Sequence, residues 1–591
     1  MPDGGRTYAQ ILRANLLTFF TVVLFAIGIA LLALGRTGDA VVSAGLGLLN
    51  ALISAAQEMR AKHRLDALRR RSADPGVQPR PPATTGPVGT GPARRSARTP
   101  LQHQIDVVIR AVVLAVALMS TAILGQAALE GLPAVRMAQI SAVLSGLIPY
   151  GLFLLVTLAY AVGAAGIARR GALVQRVNAV ESLSNVDVLC ARLGGGLADD
   201  DGRLRPGAAQ ALADLRERGI EVRLLDERDA EHVRAAAHEL GLPAADVLVA
   251  GELEGLGAED LDRIVRGHAH LAGADARLAE QVVDSLVRAG RYVAMVGGGD
   301  GDVPALTLAH VGVAVQSGGT GARDAADIVL LEDSFAALPV AHHEGQRIIG
   351  GVSPAMKLFL TRVATSAGVI LGVAVLGLGF PYEPAQGSLT IFTVGIPTLF
   401  LTAWARPQRC DPHLLGDLAR FVVPAAVVTG GFAIAIYAAL HTLLSRALGE
   451  GGVLPPQAIA DFEEFTGVAS ADPRFVELAA TAVAQTSLSM FTSVTGLLLV
   501  LFLEPPARFF RGWAPVSPDR RPAVLVLVLF ATFVVVLQTP ALARYFGLHT
   551  PGGFEAPVVT AATVLWFFLL RTVWRHDLLR RALGLHSAPR G

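Results

Sequence analysis

Residues 186–200 read VDVLCARLGGGLADD, an apolar strand that runs directly into a glycine-rich loop. Loops of this kind often present a nucleophile or bind a phosphate group, because glycine lets the backbone approach a ligand closely. The exposed positions of this loop hold Arg192 and Leu193, and neither side chain is a nucleophile. The stretch therefore predicts the turn of an active site without the residue that would perform the chemistry.

Strand and helix patterns alternate around this stretch, from residue 186 to residue 340. Buried strands are predicted at VDVLC, IEVRLL, VLVAG, YVAMVG, VGVAV and DIVLL, and the helices between them include one long helical stretch over 259–289. Such alternation predicts a Rossmann-like α/β domain with a doubly wound parallel sheet, whose functional loops lie at the carboxyl ends of the strands. Those loops are ARLGGGL, DERD and GGGDGD, and we assign the domain to residues 166–350.

The composition of the whole chain is that of a polytopic membrane protein with soluble parts. The chain has 591 residues, 52% of them hydrophobic, and a net charge of +1; its mean hydropathy is +0.50. Stretches long enough to cross the hydrocarbon predict about ten transmembrane helices. They lie at about 15–34, 39–56, 107–129, 137–164, 354–380, 388–405, 420–440, 479–503, 522–540 and 557–574. The first is expected to be a retained anchor, since no small-residue cleavage site follows it.

Helices 1–2 are thus assigned to residues 1–57, helices 3–4 to 105–165 and helices 5–10 to 351–576. Arginines cluster between helices 2 and 3, between helices 8 and 9, and after helix 10. Positive residues favour the cytoplasmic side, so both termini, including the 577–591 tail, and the 166–350 domain are expected there.

Residues 58–104 have the composition of a basic, Pro/Gly-rich linker that is too polar to bury a core. The simplest role of its arginines is to set the topology, and an alternative is contact with anionic headgroups of the lipid bilayer. No nucleic-acid partner is expected.

Several segments in chain order resemble the P-type cation-transporting ATPases, whose phosphorylation domain is haloacid-dehalogenase-like. MVGGGDGDVPALTLAHVGVAV and GARDAADIVLLEDSFAALP resemble the hinge segment TGDGxNDxxAL and the strand after it. ARRGALVQRVNAVESLSNVDVLC resembles the approach to the phosphorylation motif DKTGT, and LIPYGLFLL resembles the fourth membrane helix with its PEGL motif. FTVGIPTLFLTAW and YAQILRANLLTFF are similar to the bacterial cation-transporting ATPase E branch. The resemblance implies a bacterial plasma membrane protein that uses ATP and Mg²⁺.

The alignment implied by this resemblance removes the catalytic residues. Family members form an aspartyl phosphate, but here Arg192 occupies the position of the aspartate. Asp226 begins the segment that replaces the TGD motif, and Ala279 lies near the position of the phosphate-binding lysine. Gly298 replaces a magnesium-ligand aspartate, which leaves Asp302 as the candidate metal ligand. A rescue of the magnesium site by the acidic run 199–201 is a further possibility, although such runs are more often solvated turns.

Two domains of the family also have no counterpart in the sequence. Only LADDDGRLRP stands where the nucleotide-binding domain is inserted, and the 58–104 linker, without a TGES motif, replaces the actuator domain. No GxxxxGK[ST] motif is present, and GGGDGD does not fit GxGxxG. The expected fold is a minimal phosphorylation-like domain on a membrane bundle, without actuator and nucleotide-binding domains.

The membrane segments keep the helix breaks of an ion pathway and lack its charges. Pro149 and Gly151 preserve the break of helix 4, and Tyr150 replaces its glutamate. These three residues, with Gly395 and Pro397, are the candidates for an ion pathway. No Asp or Glu lies at the middle of a predicted span, although such residues normally mark an ion path. The remaining candidates for an ion path are polar but neutral, and the alternative is that they only form hydrogen bonds between helices. They are Thr393, Thr398, Gln485, Thr486, Ser489 and Thr492.

Other polar residues have simpler interpretations. Lys357 and Arg362 are expected to extend to the cytoplasmic interface. The histidines at 268–270 and 342–343 lack a supporting carboxylate or cysteine cluster and are expected on the surface. Cys190, one of two cysteines, ends a buried strand and is expected in the core.

Three functional hypotheses follow. The chain is a pseudo-ATPase that cannot form an aspartyl phosphate and acts as a regulator, a partner of another membrane transporter or P-type ATPase, or a passive conduit. Alternatively, it is an active cation pump with unconventional chemistry. The third hypothesis is a pump half that borrows its missing domains from another polypeptide, which Arg192 disfavours because no borrowed domain supplies the nucleophile.

Overall fold

The computed structural model describes residues 100–576, apart from short gaps, and six isolated helical positions before residue 49. The gaps are at 149, 177, 195–196, 200–201, 206, 245, 254–257, 410–413 and 451–454. Apart from those six positions, the predicted helices at 15–34 and 39–56 lie outside the described residues, as do nearly all of the 58–104 linker and the 577–591 tail.

Three helices precede the soluble domain: α1 (Pro100–Leu129), α2 (Ala134–Ser145) and α3 (Tyr150–Ala168). The first begins inside the predicted linker and is long and apolar enough to cross a membrane from His103 to Leu129. The single span predicted at 137–164 is instead divided into α2 and α3. Gly146 ends α2, and its N–H donates to the carbonyl of Ala142.

The soluble domain is an α/β domain built on an eight-stranded sheet of order β1-β8-β7-β6-β2-β3-β5-β4. Its elements are β1 (Ala172–Val174), α4 (Ala179–Ser184), β2 (Val188–Arg192), α5 (Ala208–Glu217), β3 (Glu221–Asp226), α6 (Ala230–Glu239), β4 (Val247–Val249), α7 (Ala258–Gly267), β5 (His270–Ala272), α8 (Ala276–Arg288), β6 (Val293–Gly297), α9 (Val303–Leu308), β7 (Val311–Val315), α10 (Thr320–Ala325) and β8 (Ile328–Leu330). Every residue of β2, β6 and β7 is buried, as expected for strands covered on both faces.

Two features of the sheet differ from the prediction. The sheet is mixed, since β1 pairs antiparallel with β8, with Ala172 opposite Leu330. The helix predicted over 259–289 is α7 and α8 with β5 between them. Gly273 has a φ of +72°, which favours glycine, and the side chain of Asp275 accepts the N–H of Leu278 to begin a new helix.

The remaining helices form most of the membrane bundle. They are α11 (Ala337–Val375), α12 (Ile396–Ala403), α13 (Leu414–Gly449), α14 (Pro456–Thr466), α15 (Phe475–Leu503), α16 (Arg521–Gln538), α17 (Pro540–Tyr545) and α18 (Glu555–Arg575). A π-helical turn, Ile391–Gly395, precedes α12. Within the described residues, seven helical segments are long and apolar enough to cross a membrane. They overlap seven of the ten predicted spans, and α15 is the most enclosed of them.

Helix α11 connects the soluble domain with the bundle. Its 39 residues extend over roughly 58 Å, and the predicted domain boundary between residues 350 and 351 lies within it. At its soluble end α11 packs on α4, where a Cβ on Gly345 would lie 2.2 Å from the carbonyl oxygen of Val180. Further along it packs on α3, α13 and α12. One continuous helix therefore contacts both parts of the molecule.

Candidate functional site

The predicted site lies where three neighbouring parallel strands end. β2 lies between β6 and β3, and Arg192 at the end of β2 is opposite Leu225 in β3. Asp226 ends β3 and Gly297 ends β6. After β2 the chain adds β3 on one side of it and later returns to add β6 on the other side. Such a reversal of strand order is the usual position of a ligand crevice in these folds.

The side chain of Arg192 fills this position and is fixed by three acceptors. Nη1 donates to the carbonyl oxygen of Ala274 at 2.6 Å, and Nη2 donates to Oε1 of Glu227 at 2.7 Å. Nε lies 3.1 Å from Oδ1 of Asp302, and the side chains of both residues are less than a tenth exposed. A planar guanidinium suits this arrangement because its donors point in fixed directions. The carboxyl end of β2 thus holds a cation with three acceptors, two of them carboxylates.

Asp302 is held by the glycine-rich turn as well as by Arg192. Its Oδ2 accepts the N–H groups of Gly298 at 3.1 Å and Gly299 at 3.0 Å. A Cβ on Gly297 would lie 2.7 Å from the same oxygen, so the turn has room only for glycine there. Both carboxylate oxygens of Asp302 are therefore engaged by donors within the protein.

The other acidic residues at this edge also have structural partners. Asp226 accepts hydrogen bonds from the backbone and side chain of Arg228. Burial alone would raise the pKa of Asp226, but the hydrogen bonds from Arg228 outweigh it and lower the pKa. Asp300 accepts the N–H groups of Gly321 and Ala322, which ties the turn to α10.

The comparisons with known proteins agree with this architecture. Residues 110–310 match the haloacid dehalogenase-like hydrolase family. Calcium-transporting ATPase CtpE of Mycobacterium bovis is 30% identical over 250 residues, 40% of this chain and 31% of that protein. Probable cation-transporting ATPase F of Mycobacterium tuberculosis is 34% identical over 236 residues, 36% of this chain and 26% of that protein. Magnesium-transporting ATPase, P-type 1, of Salmonella typhimurium is 32% identical over 226 residues, 36% of this chain and 24% of that protein.

The chain is homologous to bacterial cation-transporting P-type ATPases. The homology covers about 40% of its residues, and the chain spans less than a third of the length of these relatives. It contains a haloacid-dehalogenase-like α/β domain with a mixed sheet. The names of the relatives describe the ions that those proteins transport.

The residues at the edge of the sheet do not fit the magnesium ion that the family resemblance implies. Mg²⁺ binds through oxygen ligands, several of them carboxylates or phosphates. Here Gly298 offers no side chain, and the guanidinium of Arg192 lies against the oxygen of Asp302 that would have to face the ion. Within the described residues no group of three His, Cys, Asp or Glu side chains is placed to hold a metal. No catalytic step through a metal is derived from this arrangement.

The structure brings together most of the residues predicted at this site. Arg192, Asp226, Gly298 and Asp302 converge at one edge, whereas Ala279 is fully buried in the hydrophobic core beneath α8. The contact with the site comes instead from just before α8, where the carbonyl of Ala274 accepts a hydrogen bond from Arg192. Sequence reasoning missed this carbonyl and the role of Glu227, for which the only signal was its place directly after Asp226.

The acidic run and the histidines are placed differently from a metal site. Asp199 accepts the N–H of Arg203 in a turn, and residues 200–201 lie outside the described residues. The predicted surface position of the histidines is wrong for His270 and His342, because both are buried. Nδ1 of His270 accepts the N–H of Leu224 at 3.2 Å. Cys190 is fully buried, as predicted, and burial raises the pKa of its thiol to about 12.

The membrane candidates lie at interruptions of helices. Pro149 is outside the described residues, and α3 begins at Tyr150, next to Gly151, where a Cβ would lie 3.0 Å from the ring of Phe359. Gly395 ends the π-helical turn, and Pro397 is buried in the first turn of α12. These interruptions set the helix positions but contribute no charged side chain.

Four of the six neutral polar candidates fall into two groups. Thr393 and Thr492 line a cavity inside the bundle. Gln485 donates to the carbonyl of Phe380, and the hydroxyl of Thr486 accepts the N–H of His549, so these two residues connect segments of the protein.

The two cations at the start of the fifth predicted span differ in their burial. Lys357 is only 9% exposed and forms an ion pair with Asp417 at 2.6 Å. Arg362 lines the same internal cavity as Thr393 and Thr492. Lys357 is thus buried against α13, whereas Arg362 is only partly buried, and the expected extension of the two side chains to the cytoplasmic interface stays a prediction.

Proposed function

We propose that this chain is a membrane protein of the cation-transporter type whose phosphorylation-like domain is catalytically silent, so that it serves as a regulator or partner of another transporter. The observation that carries the proposal is the position of the Arg192 guanidinium at the carboxyl end of β2, where two hydrogen bonds and an ion pair hold it. A phosphoryl transfer of the family type needs a carboxylate nucleophile at that position. Arginine is always protonated and cannot accept the phosphoryl group.

The neighbours of Arg192 support the same proposal. Nucleophile, metal and charge stabilisation each contribute orders of magnitude to the rate of phosphoryl transfer. Here the guanidinium takes the place of both the nucleophile and the metal, since it neutralises Asp302 directly. The glycine-rich turn is retained because it wraps this buried pair, which gives it a structural role without catalysis.

The short connection between β2 and α5 supports the proposal that no nucleotide-binding domain is inserted there. Only residues 193–207 join the two elements, and the N–H of Leu197 and the N–H of Ala198 donate back to Arg192 and Leu193. The described residues at the start of this connection therefore fold back on the end of β2. We infer that no described segment takes the role of an actuator domain. The soluble domain is proposed to lie on the cytoplasmic side of the bacterial plasma membrane.

A phosphoenzyme assay tests this proposal. The purified full chain in lipid nanodiscs is incubated with γ-labelled ATP and Mg²⁺, stopped with acid and analysed for hydroxylamine-sensitive label, with a complete P-type ATPase as the positive control. We expect no label on the chain. A hydroxylamine-sensitive phosphoenzyme would refute catalytic silence and favour an active transporter with unconventional or partner-supplied parts.

A second measurement addresses the metal. We expect millimolar Mg²⁺ to leave the melting temperature of the wild-type chain unchanged, because Asp302 has no free oxygen. The melting temperature of the Arg192→Asp variant should rise with Mg²⁺, since two carboxylates would then face each other.

Affinity purification from native membranes tests the partner role, with recovery of a complete P-type ATPase as the expected result.

A further inference from the structure

A small cavity lies inside the bundle, between α11, the π-helical turn, α13 and α15. Its volume is about 20 Å³, which is room for one or two water-sized particles and too small for an organic ligand. Its lining is polar for a site among membrane helices: six threonines and one arginine contribute to it, together with Leu358, Val394, Gly496 and Leu499.

The single charged side chain of the lining, Arg362, has no acidic partner among the described residues. Lys357, about 7.5 Å earlier along the same helix, already pairs with the nearby Asp417. The segments that line the cavity, 354–375, 391–403, 420–440 and 479–503, contain no Asp or Glu in the sequence. An unpaired charge inside a membrane bundle costs several kcal/mol by most measures, so such residues normally face a counter-charge.

Arg362 is partly buried and lies within the apolar part of α11. It lies roughly 20 Å before the end of α11 at Val375. The positive charge of Arg362 also acts on the buried Tyr382. Burial raises the pKa of the Tyr382 hydroxyl, and the charge of Arg362 opposes that rise. Among the described residues no carboxylate supplies a counter-charge to Arg362, and the cavity beside it offers room for one.

The hydroxyl groups nearest in sequence to Arg362 have protons to donate. Thr361 and Thr365 lie on α11 beside it, are buried, and have hydroxyls without a hydrogen-bond partner in the described part of the chain. Thr429 on α13 accepts the indole N–H of Trp566 at 2.9 Å and donates to no described residue. A hydroxyl that accepts one hydrogen bond still carries its own proton.

The other three threonine hydroxyls are occupied as donors. Thr393 donates to the carbonyl of Leu389, Thr492 to Ser489 and Thr495 to Phe491. The free donors are therefore concentrated on the α11 and α13 side, together with the guanidinium. Donors and a fixed positive charge without a carboxylate select against a cation and for an anion.

We propose that this cavity binds one small monovalent anion of halide size, held by Arg362 and the hydroxyls of Thr361, Thr365 and Thr429. The inference concerns the membrane bundle alone and does not depend on the silence of the Arg192 site. It assigns an anion site to the bundle, whereas the homologous transporters are named for the cations that they transport.

Thermal unfolding of the full chain in nanodiscs tests the proposal. Chloride is titrated against gluconate at constant ionic strength and constant cation. We expect a saturable rise of the melting temperature by roughly a few degrees, because a ligand that binds only the folded state stabilises it. Bromide should replace chloride, and the larger sulfate should not. A melting temperature that depends on Na⁺, K⁺ or Ca²⁺ and not on the halide would overturn the proposal.

Variants locate the site. Arg362→Gln should abolish the halide-dependent shift, and the nearly isosteric Thr361→Val, Thr365→Val double variant should weaken halide binding at least several-fold, which keeps the test valid if Arg362→Gln does not fold. The matched control is Lys357→Gln, which alters a paired cation on the same helix and should retain the halide-dependent shift at a lower melting temperature. An unchanged halide shift in Arg362→Gln would refute the site.

A fluorescence measurement gives an independent readout. Trp566 is fully buried and its indole binds Thr429 in the wall of the cavity. Bromide in the cavity should therefore quench the fluorescence of Trp566 in a saturable manner. The quenched component should disappear in Trp566→Phe and in Arg362→Gln. Quenching that rises linearly with bromide and persists in Arg362→Gln would contradict binding in the cavity.

Discussion

The soluble domain and the membrane bundle each hold one arginine that decides the character of a site, Arg192 and Arg362, and the two arginines have opposite surroundings. Arg192 is bonded to a carbonyl and two carboxylates, including the buried Asp302. Arg362 lies against hydroxyls and has no acidic partner among the described residues. A guanidinium held by carboxylates closes a site, whereas one that faces hydroxyl donors without a carboxylate leaves room for an anionic ligand.

The largest effect that tests this comparison is expected for Arg192→Ala. The substitution leaves the carboxylate of Asp302 buried without its cation, which typically costs about 3–5 kcal/mol in the free energy of unfolding. Denaturant unfolding of the full chain, followed by a probe in the soluble domain, measures the loss. A loss below about 1 kcal/mol would show that the pair does not hold the site closed.

Two further variants separate the contributions to this effect. Glu227 is 66% exposed, so Glu227→Gln should cost less than about 1 kcal/mol. Adding Asp302→Asn to Arg192→Ala should recover part of the lost stability, because it removes the unpaired charge and keeps an acceptor for the glycine turn.

A smaller effect is expected where α11 leaves the soluble domain. Gly345→Ala would place a Cβ 2.2 Å from the carbonyl oxygen of Val180, and the forced separation of α11 from α4 should cost about 1–3 kcal/mol. Gly368→Ala on the same helix is the control, since its Cβ would meet no heavy atom within 4 Å. Equal melting temperatures for the two variants would contradict a close contact between the domain and α11.

The change at the second arginine should be smaller still. In a halide-free buffer Arg362→Gln removes a charge that no described carboxylate balances, so the free energy of unfolding should change by less than about 1 kcal/mol or rise. Saturating chloride should then stabilise the wild type and leave the variant unchanged. A loss of several kcal/mol without halide would reveal an acidic partner for Arg362 within the protein.

How far the sequence predicts these two sites depends on the local structure that carries them. Arg192, Asp226, Gly298 and Asp302 were predictable as neighbours because the carboxyl ends of adjacent parallel strands meet at one edge. The partner carbonyl of Ala274 was not predictable, since the 259–289 segment has helical periodicity that conceals β5. Three-residue strands such as β1 and β5 give too short a pattern to detect.

The cavity was less predictable than the sheet edge. Thr393 and Thr492 could be named from their polarity in apolar segments, but Thr361, Thr365 and Arg362 lie near the end of a predicted span, where an extended arginine is the simplest expectation. Which side of a membrane helix faces the interior depends on its neighbours, and α11 is covered by both α3 and α13. Helix packing therefore decides a feature that the sequence of α11 alone does not.

The stability of the two regions should also respond differently to pH. Burial lowers the pKa of His270 below its usual 6.5, so the unfolded chain binds its proton more readily than the folded domain. The stability that neutral His270 contributes is full above about pH 6.5 and is lost as the pH falls below it, by at most about 1.4 kcal/mol per pH unit.

His270→Asn keeps an acceptor for the N–H of Leu224 and should reduce the slope of melting temperature against pH between pH 7.5 and 5.5. The only ionisable group in the cavity lining is Arg362, which stays protonated throughout this range. The halide-dependent shift should therefore be the same at both pH values in the wild type and in His270→Asn. A halide shift that grows on acidification would mean that a titrating group outside the cavity lining controls the anion, and the independence of the two regions would then fail.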